Sequence, residues 1–92
     1  MTNHEILCKT FTDQANKLIV AARHEAVRYQ HFRKPDMLAT IEIYRQKAFT
    51  LWTVACGLHV NGYDGDLAEV ISITSDTESG IADIYNEMTT LS

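Results

Sequence analysis

Apolar residues along the first third of the chain, Leu7, Phe11, Ala15, Leu18, Ala22, Ala26 and Tyr29, follow one another at intervals of three or four. That spacing keeps them on one face of an α-helix and requires a partner surface on that side. It predicts helix 1 over about 3–31. Thr2-x-x-Glu5 has the form of a capping box, with Asn3 as a competing cap. The opposite face carries Glu5, Lys9, Asp13 and Lys17, four apart and alternating in sign, the pattern of a solvent-exposed ladder. A second, narrower stripe, Val20, His24, Val27 and His31, faces away from the core. It is either ordinary surface or a helix-to-helix contact.

Phe32-Arg33-Lys34-Pro35-Asp36 reads as a turn, with Pro35 suited to the first position of a helix and Asp36 to its positive end. Helix 2 follows over about 36–58, and its stripe of Met37, Ile41, Tyr44, Ala48, Leu51, Ala55 and Leu58 is expected to face helix 1. From Ala48 to Val60 the remaining faces fill with Phe49, Trp52, Val54, Cys56 and Val60. A helix apolar nearly all round needs cover on more than one side, and two neighbours in so short a chain leave some of it bare. Self-association is therefore expected through Phe49, Trp52, Cys56 and Val60, with Val20, His24, Val27 and His31 as a further contact, most simply as a dimer.

Asn61-Gly62-Tyr63-Asp64-Gly65 is a turn by composition, and Asp66-x-x-Glu69 has the spacing to cap helix 3 over about 66–90. An EF-hand loop does not fit there, since its oxygen ligands, its Gly and its final Glu cannot all be registered. Helix 3 keeps strict heptads, with Leu67, Thr74, Ile81 and Met88 in one row and Val70, Thr77, Ile84 and Leu91 in the other. Ser75-Asp76-Thr77-Glu78 followed by Gly80 is the one place where it could break, and a continuous helix is the preferred expectation. Thr74 and Thr77 in the inner rows are expected to bond carbonyls one turn back.

The fold class that emerges is all-α: a three-helix bundle made of a long helical hairpin and a heptad-patterned C-terminal helix, a single domain over 1–92. The hydrophobic fraction of 46% and only four Gly and one Pro agree with a packed chain of long elements. The N-terminus lacks a basic stretch followed by an apolar one, and the least polar segment is too short to cross a bilayer, so a soluble, cytoplasmic chain without membrane attachment is expected. Cys8 and Cys56 have no zinc-like spacing. In an antiparallel hairpin they fall roughly 7 Å apart along the axis, too far for an unstrained bridge.

Charge adds more. The net charge of −4 conceals eight cations and only five acids before residue 48, a surplus of +3, and seven acids with no cation after it. Either the acidic third helix packs beside the basic hairpin, or it presents an acidic surface, Asp76, Glu78, Asp83 and Glu87, to a basic partner.

Candidate chemistry is thin. His24-Glu25-x-x-Arg28 has Arg where a zinc protease helix needs its second His, and His24 and His31 are too far apart to chelate one metal ion from a single helix. The Arg-His pairs of HEPN-type ribonucleases are more closely spaced than Arg23 and His31. No Gly-rich phosphate loop and no nucleophile constellation is present. Net acidity and the lack of a helix-turn-helix signature argue against direct nucleic-acid binding. The leading expectation is a non-enzymatic protein-interaction module without cofactor or metal, a small stoichiometric inhibitor or adaptor of a larger macromolecular complex. The alternative is a small anionic ligand of nucleotide type, held by Arg23, Arg28, Arg33 and Lys34 at the C-terminal end of helix 1.

Overall fold

The computed structural model describes residues 1–91, and in them three helices pack against one another: α1 (Asn3–Phe32), α2 (Pro35–Val60) and α3 (Ala68–Thr90). α2 runs antiparallel to its two neighbours, and α1 and α3 are parallel. Tyr63, just ahead of α3, meets His4 at one end, and Met88 and Leu91 meet Gln30 and Arg33 at the other. The molecule is a narrow block of 46 × 24 × 16 Å. No described helix is long and apolar enough to cross a membrane.

Each boundary has a local cause. The Thr2 hydroxyl accepts the Glu5 N–H at 3.1 Å while the Glu5 carboxylate accepts the Thr2 N–H at 3.4 Å, so the capping box forms and Asn3 is simply the first helical residue. Arg33 ends α1 in the left-handed region at φ +53°, with its N–H donating to the Tyr29 carbonyl at 2.8 Å. A residue with a Cβ resists that conformation, and here the guanidinium holds it, donating to the Leu91 carbonyl at 2.7 Å and lying 5.7 Å from the Tyr29 ring centre. Pro35 then opens α2.

The second turn closes on α1. Gly62 sits at φ +85°, and Tyr63 reaches back so that its hydroxyl lies 3.0 Å from His4 Nδ1. A Cβ at Gly65 would come within 2.7–2.8 Å of the His4 and Tyr63 rings, so glycine is needed for this approach. The capping box expected from Asp66 and Glu69 does not form. Leu67 occupies the cap position because its side chain fills a core site, 1% exposed, and Asp66 instead accepts the Ala68 N–H two residues on, at 2.9 Å.

α3 is continuous across the suspected break. Thr74 is fully buried and its hydroxyl donates to the carbonyls of Val70 at 2.8 Å and Ile71 at 3.1 Å, as expected, whereas Thr77, buried to 8% exposure, makes no such bond to a carbonyl one turn back. Gly80 is a contact point: a Cβ there would stand 3.3 Å from the Ile19 side chain of α1. The buried surfaces are small. Ala15, Ala22, Ala48 and Ala55 are all fully buried, beside Ile41 and Ile81, with Tyr29, Met37 and Met88 toward one end. Alanines at the contacts bring the helix axes close and leave little room for growth. Ala22→Leu or Ala48→Leu should therefore cost about 1–3 kcal/mol by overpacking, read as a lower urea midpoint at unchanged slope. A variant as stable as the parent would show that the helices can separate freely.

Candidate functional site

The outward side of α3 holds the acidic candidates. Glu69, Asp76 and Asp83 recur every seven residues, a rise of about 10 Å each along the helix, and Glu87 lies one turn beyond. All four are exposed, flanked by exposed Ser72, Ser79 and Asn86, and none makes an ion pair among the described residues. Glu78 does not belong to this face. Its side chain is only 19% exposed and accepts from Arg45 Nη1 of α2 at 2.9 Å. Two places from Asp76 on a helix, it points toward α2 and not outward.

That contact is the one ion pair joining the hairpin to α3 among the described residues. Arg45 also donates through Nε to both oxygens of Glu42, at 2.9 and 3.1 Å. These hydrogen bonds from Arg45 hold the Glu42 carboxyl below its ordinary range, and those to Glu42 and then Glu78 keep the guanidinium more firmly protonated. The packing of an acidic helix beside a basic hairpin is thus served at one point, and the remaining outward acids of α3 take no part in it.

The basic residues at the end of α1 do not converge. Arg28 pairs with Glu25 at 3.2 Å, Arg33 is committed to Leu91 and Tyr29, and Arg23 lies on the other flank of α1 from Arg28, five residues or roughly 140° away. Lys34 is exposed in the turn. Glu25 is a residue that the hydrophobic pattern passed over: it is nearly buried beside Ala26. Its signal in the sequence is an Arg three places on, able to fold back over it.

The two apolar stripes lie on separate faces. Phe49 and Val60 are 46% and 81% exposed, whereas Trp52 and Cys56 are half-buried, and Phe49 meets Trp52 edge to face at 5.7 Å. This row continues from Arg45 and so runs along the edge of α2 beside α3. Val20 and Val27, 60% and 53% exposed, and the exposed His24 and His31 stand on the side of α1 turned away from both other helices. There a shallow depression of about 490 Å³ is walled by Asn16, Lys17, Val20, Ala21 and His24. One flat interface cannot use both stripes.

A crevice of about 400 Å³ between the N-terminal ends of α1 and α3 was not foreseen. It brings His4 and Cys8, one turn apart, near Asp66 and Glu69. The Cys8 sulfur lies 3.5 Å from His4 Nε2 and 4.0 Å from Nδ1. Such similar distances place it over the ring, since a thiol on the Nε2 lone pair would be far more distant from Nδ1. That is not the alignment of a thiol with its general base. No group of three His, Cys, Asp or Glu able to hold a metal ion occurs among the described residues, and both cysteines are free.

Comparison with protein-family models, with curated proteins and with solved structures finds no match to this chain.

Arg45 is the side chain whose removal should be felt most. Arg45→Gln leaves Glu42 and Glu78 without their cation and should cost about 1 kcal/mol near neutral pH, a melting shift of roughly 4–8 °C for a domain of this size. Because the folded carboxyl of Glu42 titrates low, the stability it supplies is present above the ordinary carboxylate range and lost as pH falls through its folded value. The gap between the melting curves of parent and variant should therefore narrow as the pH is taken down below the ordinary glutamate range. A gap independent of pH would assign the loss to packing of the Arg45 stem.

Proposed function

We propose that this chain is a non-enzymatic protein-interaction module that binds a basic partner through the outward face of α3 and acts as a stoichiometric inhibitor or adaptor of a larger assembly. The observation that carries this reading is the row of Asp76, Asp83 and Glu87, exposed and without an ion pair among the described residues, while Glu78 alone of the acids on α3 is spent on the fold. Acids with no internal partner keep their field for the solvent, where it speeds encounter with a cationic surface and opposes approach of a nucleic-acid backbone. Glu69 extends the row. Self-association through an exposed apolar stripe belongs to the same reading. The small-anion alternative loses support, because Arg28 and Arg33 are engaged within the chain and stand apart from Arg23.

The test uses kinetics. With the partner recovered from the native cell and purified, association with the parent should be fast at low salt and slow severalfold as screening shortens to about 10 Å at 0.1 M. Asp76→Asn combined with Asp83→Asn should lower the on-rate severalfold and leave the melting temperature within about 1 °C, since both groups are exposed and unpaired. An on-rate indifferent to salt, or a melting shift of several degrees with binding intact, would return this face to a purely structural role.

A further inference from the structure

Asn61 and Gly62, at the end of α2, form the one Asn-Gly step in the chain. The turn they make is a Schellman cap: Gly62, at φ +85°, donates its N–H to the His59 carbonyl at 3.2 Å, and Tyr63 donates to the Leu58 carbonyl at 2.9 Å. Asn61 is exposed, and its side-chain amide makes no hydrogen bond among the described residues. Nothing lies within 4 Å of the place a Gly62 Cβ would take, so the amide nitrogen that follows Asn61 is open to approach. We propose that this step is a site of covalent modification, at which Asn61 converts to isoaspartate without an enzyme, and that the conversion releases the start of α3. The inference is independent of what the acidic face binds.

Water is the one co-reactant. The Gly62 nitrogen bonds to Asn61 Cγ and gives up its proton, and the side-chain nitrogen leaves as ammonia, closing a five-membered imide. Water then opens the ring. Breaking the bond from the Gly62 nitrogen to Cγ yields aspartate; breaking its bond to the main-chain carbonyl carbon yields isoaspartate, whose backbone runs through Cβ and Cγ and is one atom longer. At Asn61 ψ is +10°, and the attack requires that Gly62 release His59 and that this angle turn. The other asparagines are worse placed. Asn16 and Asn86 are followed by amides bonded within helices, and Asn3 by His4, whose ring packs on Cys8. Aspartate puts a carboxylate at the negative pole of α2 and leaves the path of the backbone as it was. Isoaspartate displaces both Gly62 and Tyr63 from the carbonyls they bond. Tyr63 is the residue whose hydroxyl lies 3.0 Å from His4 Nδ1, and Gly65 behind it has no room for a Cβ against those two rings. A tight joint is thus altered from its first residue, and the N-terminal end of α3 loses its hold on α1.

The test ages the folded protein in mildly alkaline buffer at physiological temperature and maps it by peptide mass. The peptide holding residues 61 and 62 should gain about 1 Da as NH2 is replaced by OH, ahead of those holding Asn3, Asn16 or Asn86. Its rate should be about fivefold below that of a free peptide spanning residues 57–66, the factor set by the one hydrogen bond that must open. The aged fraction should melt lower and show displaced His4 and Tyr63 ring signals by NMR. Asn61→Gln, which would have to close a six-membered imide, should keep its mass and both signals over the same period. Freshly purified Asn61→Asp carries the charge without the longer backbone and should also keep both signals. A mass at residue 61 that stays constant while the free peptide ages, an earlier gain at Asn3, Asn16 or Asn86, aged protein with unmoved ring signals, or the same displacement in either variant would each overturn the proposal.

Discussion

Close approach of the helices along alanines is the constraint from which the rest of the molecule follows. With Ala15 and Ala22 on α1 and Ala48 and Ala55 on α2 fully buried, the interior is thin, and the large apolar side chains buried as completely, Ile41, Leu67 and Ile81, are few. A thin interior takes up little apolar volume. Phe49, Val54 and Val60 on α2 and Val20 and Val27 on α1 are left about half exposed or more. Surface apolarity in this chain is therefore a by-product of how tightly its helices meet, and it is arranged in rows because helices present rows.

The same economy governs charge. Where three helices meet through small residues, long side chains are pushed to the flanks, and among the described residues only one flank brings opposite signs on different helices within bonding distance: Arg45, which joins Glu42 to Glu78. Everything else acidic on α3 faces water. Such a helix is attached to its neighbours by burial, with Leu67, Val70, Thr74, Ile81 and Met88 beneath it, and its outer charges are free to be selected for something other than stability.

Much of the fold was legible in the sequence, and for definite reasons. The Thr2 and Glu5 capping pair, Pro35 at the start of α2 and the inner rows of the helices, apart from Leu91, which is 44% exposed at the C-cap of α3, express local rules that tertiary structure had no cause to override. The failures have one cause, which is that side chains serve partners distant in sequence. The cap expected from Asp66 yielded to burial of Leu67. Glu78 left the outward face because Arg45 stands across from it. Arg33, which looked like one more cation favoured by a helix end, is fixed to a carbonyl 58 residues away. The crevice beside His4 depends on where the second turn lands, which no spacing within α1 encodes. The surface stripes were identifiable as rows, but whether two of them shared a face depended on how the helices were rotated against each other.

The pairing of Tyr63 with His4 at one end and of Arg33 with Leu91 at the other has a consequence for α3 as a sliding element. A strict heptad repeat is nearly self-similar under a shift of seven residues: Leu67, Thr74, Ile81 and Met88 would offer α1 and α2 almost the same inner face one step along. A slide of one step, about 10 Å, would keep the pattern over the overlapping turns and uncover the buried residues at one end. The two end contacts, and the notch that Gly80 gives Ile19, lack that periodicity. They act as index marks beside the buried core, and together with it they give the molecule a single zero.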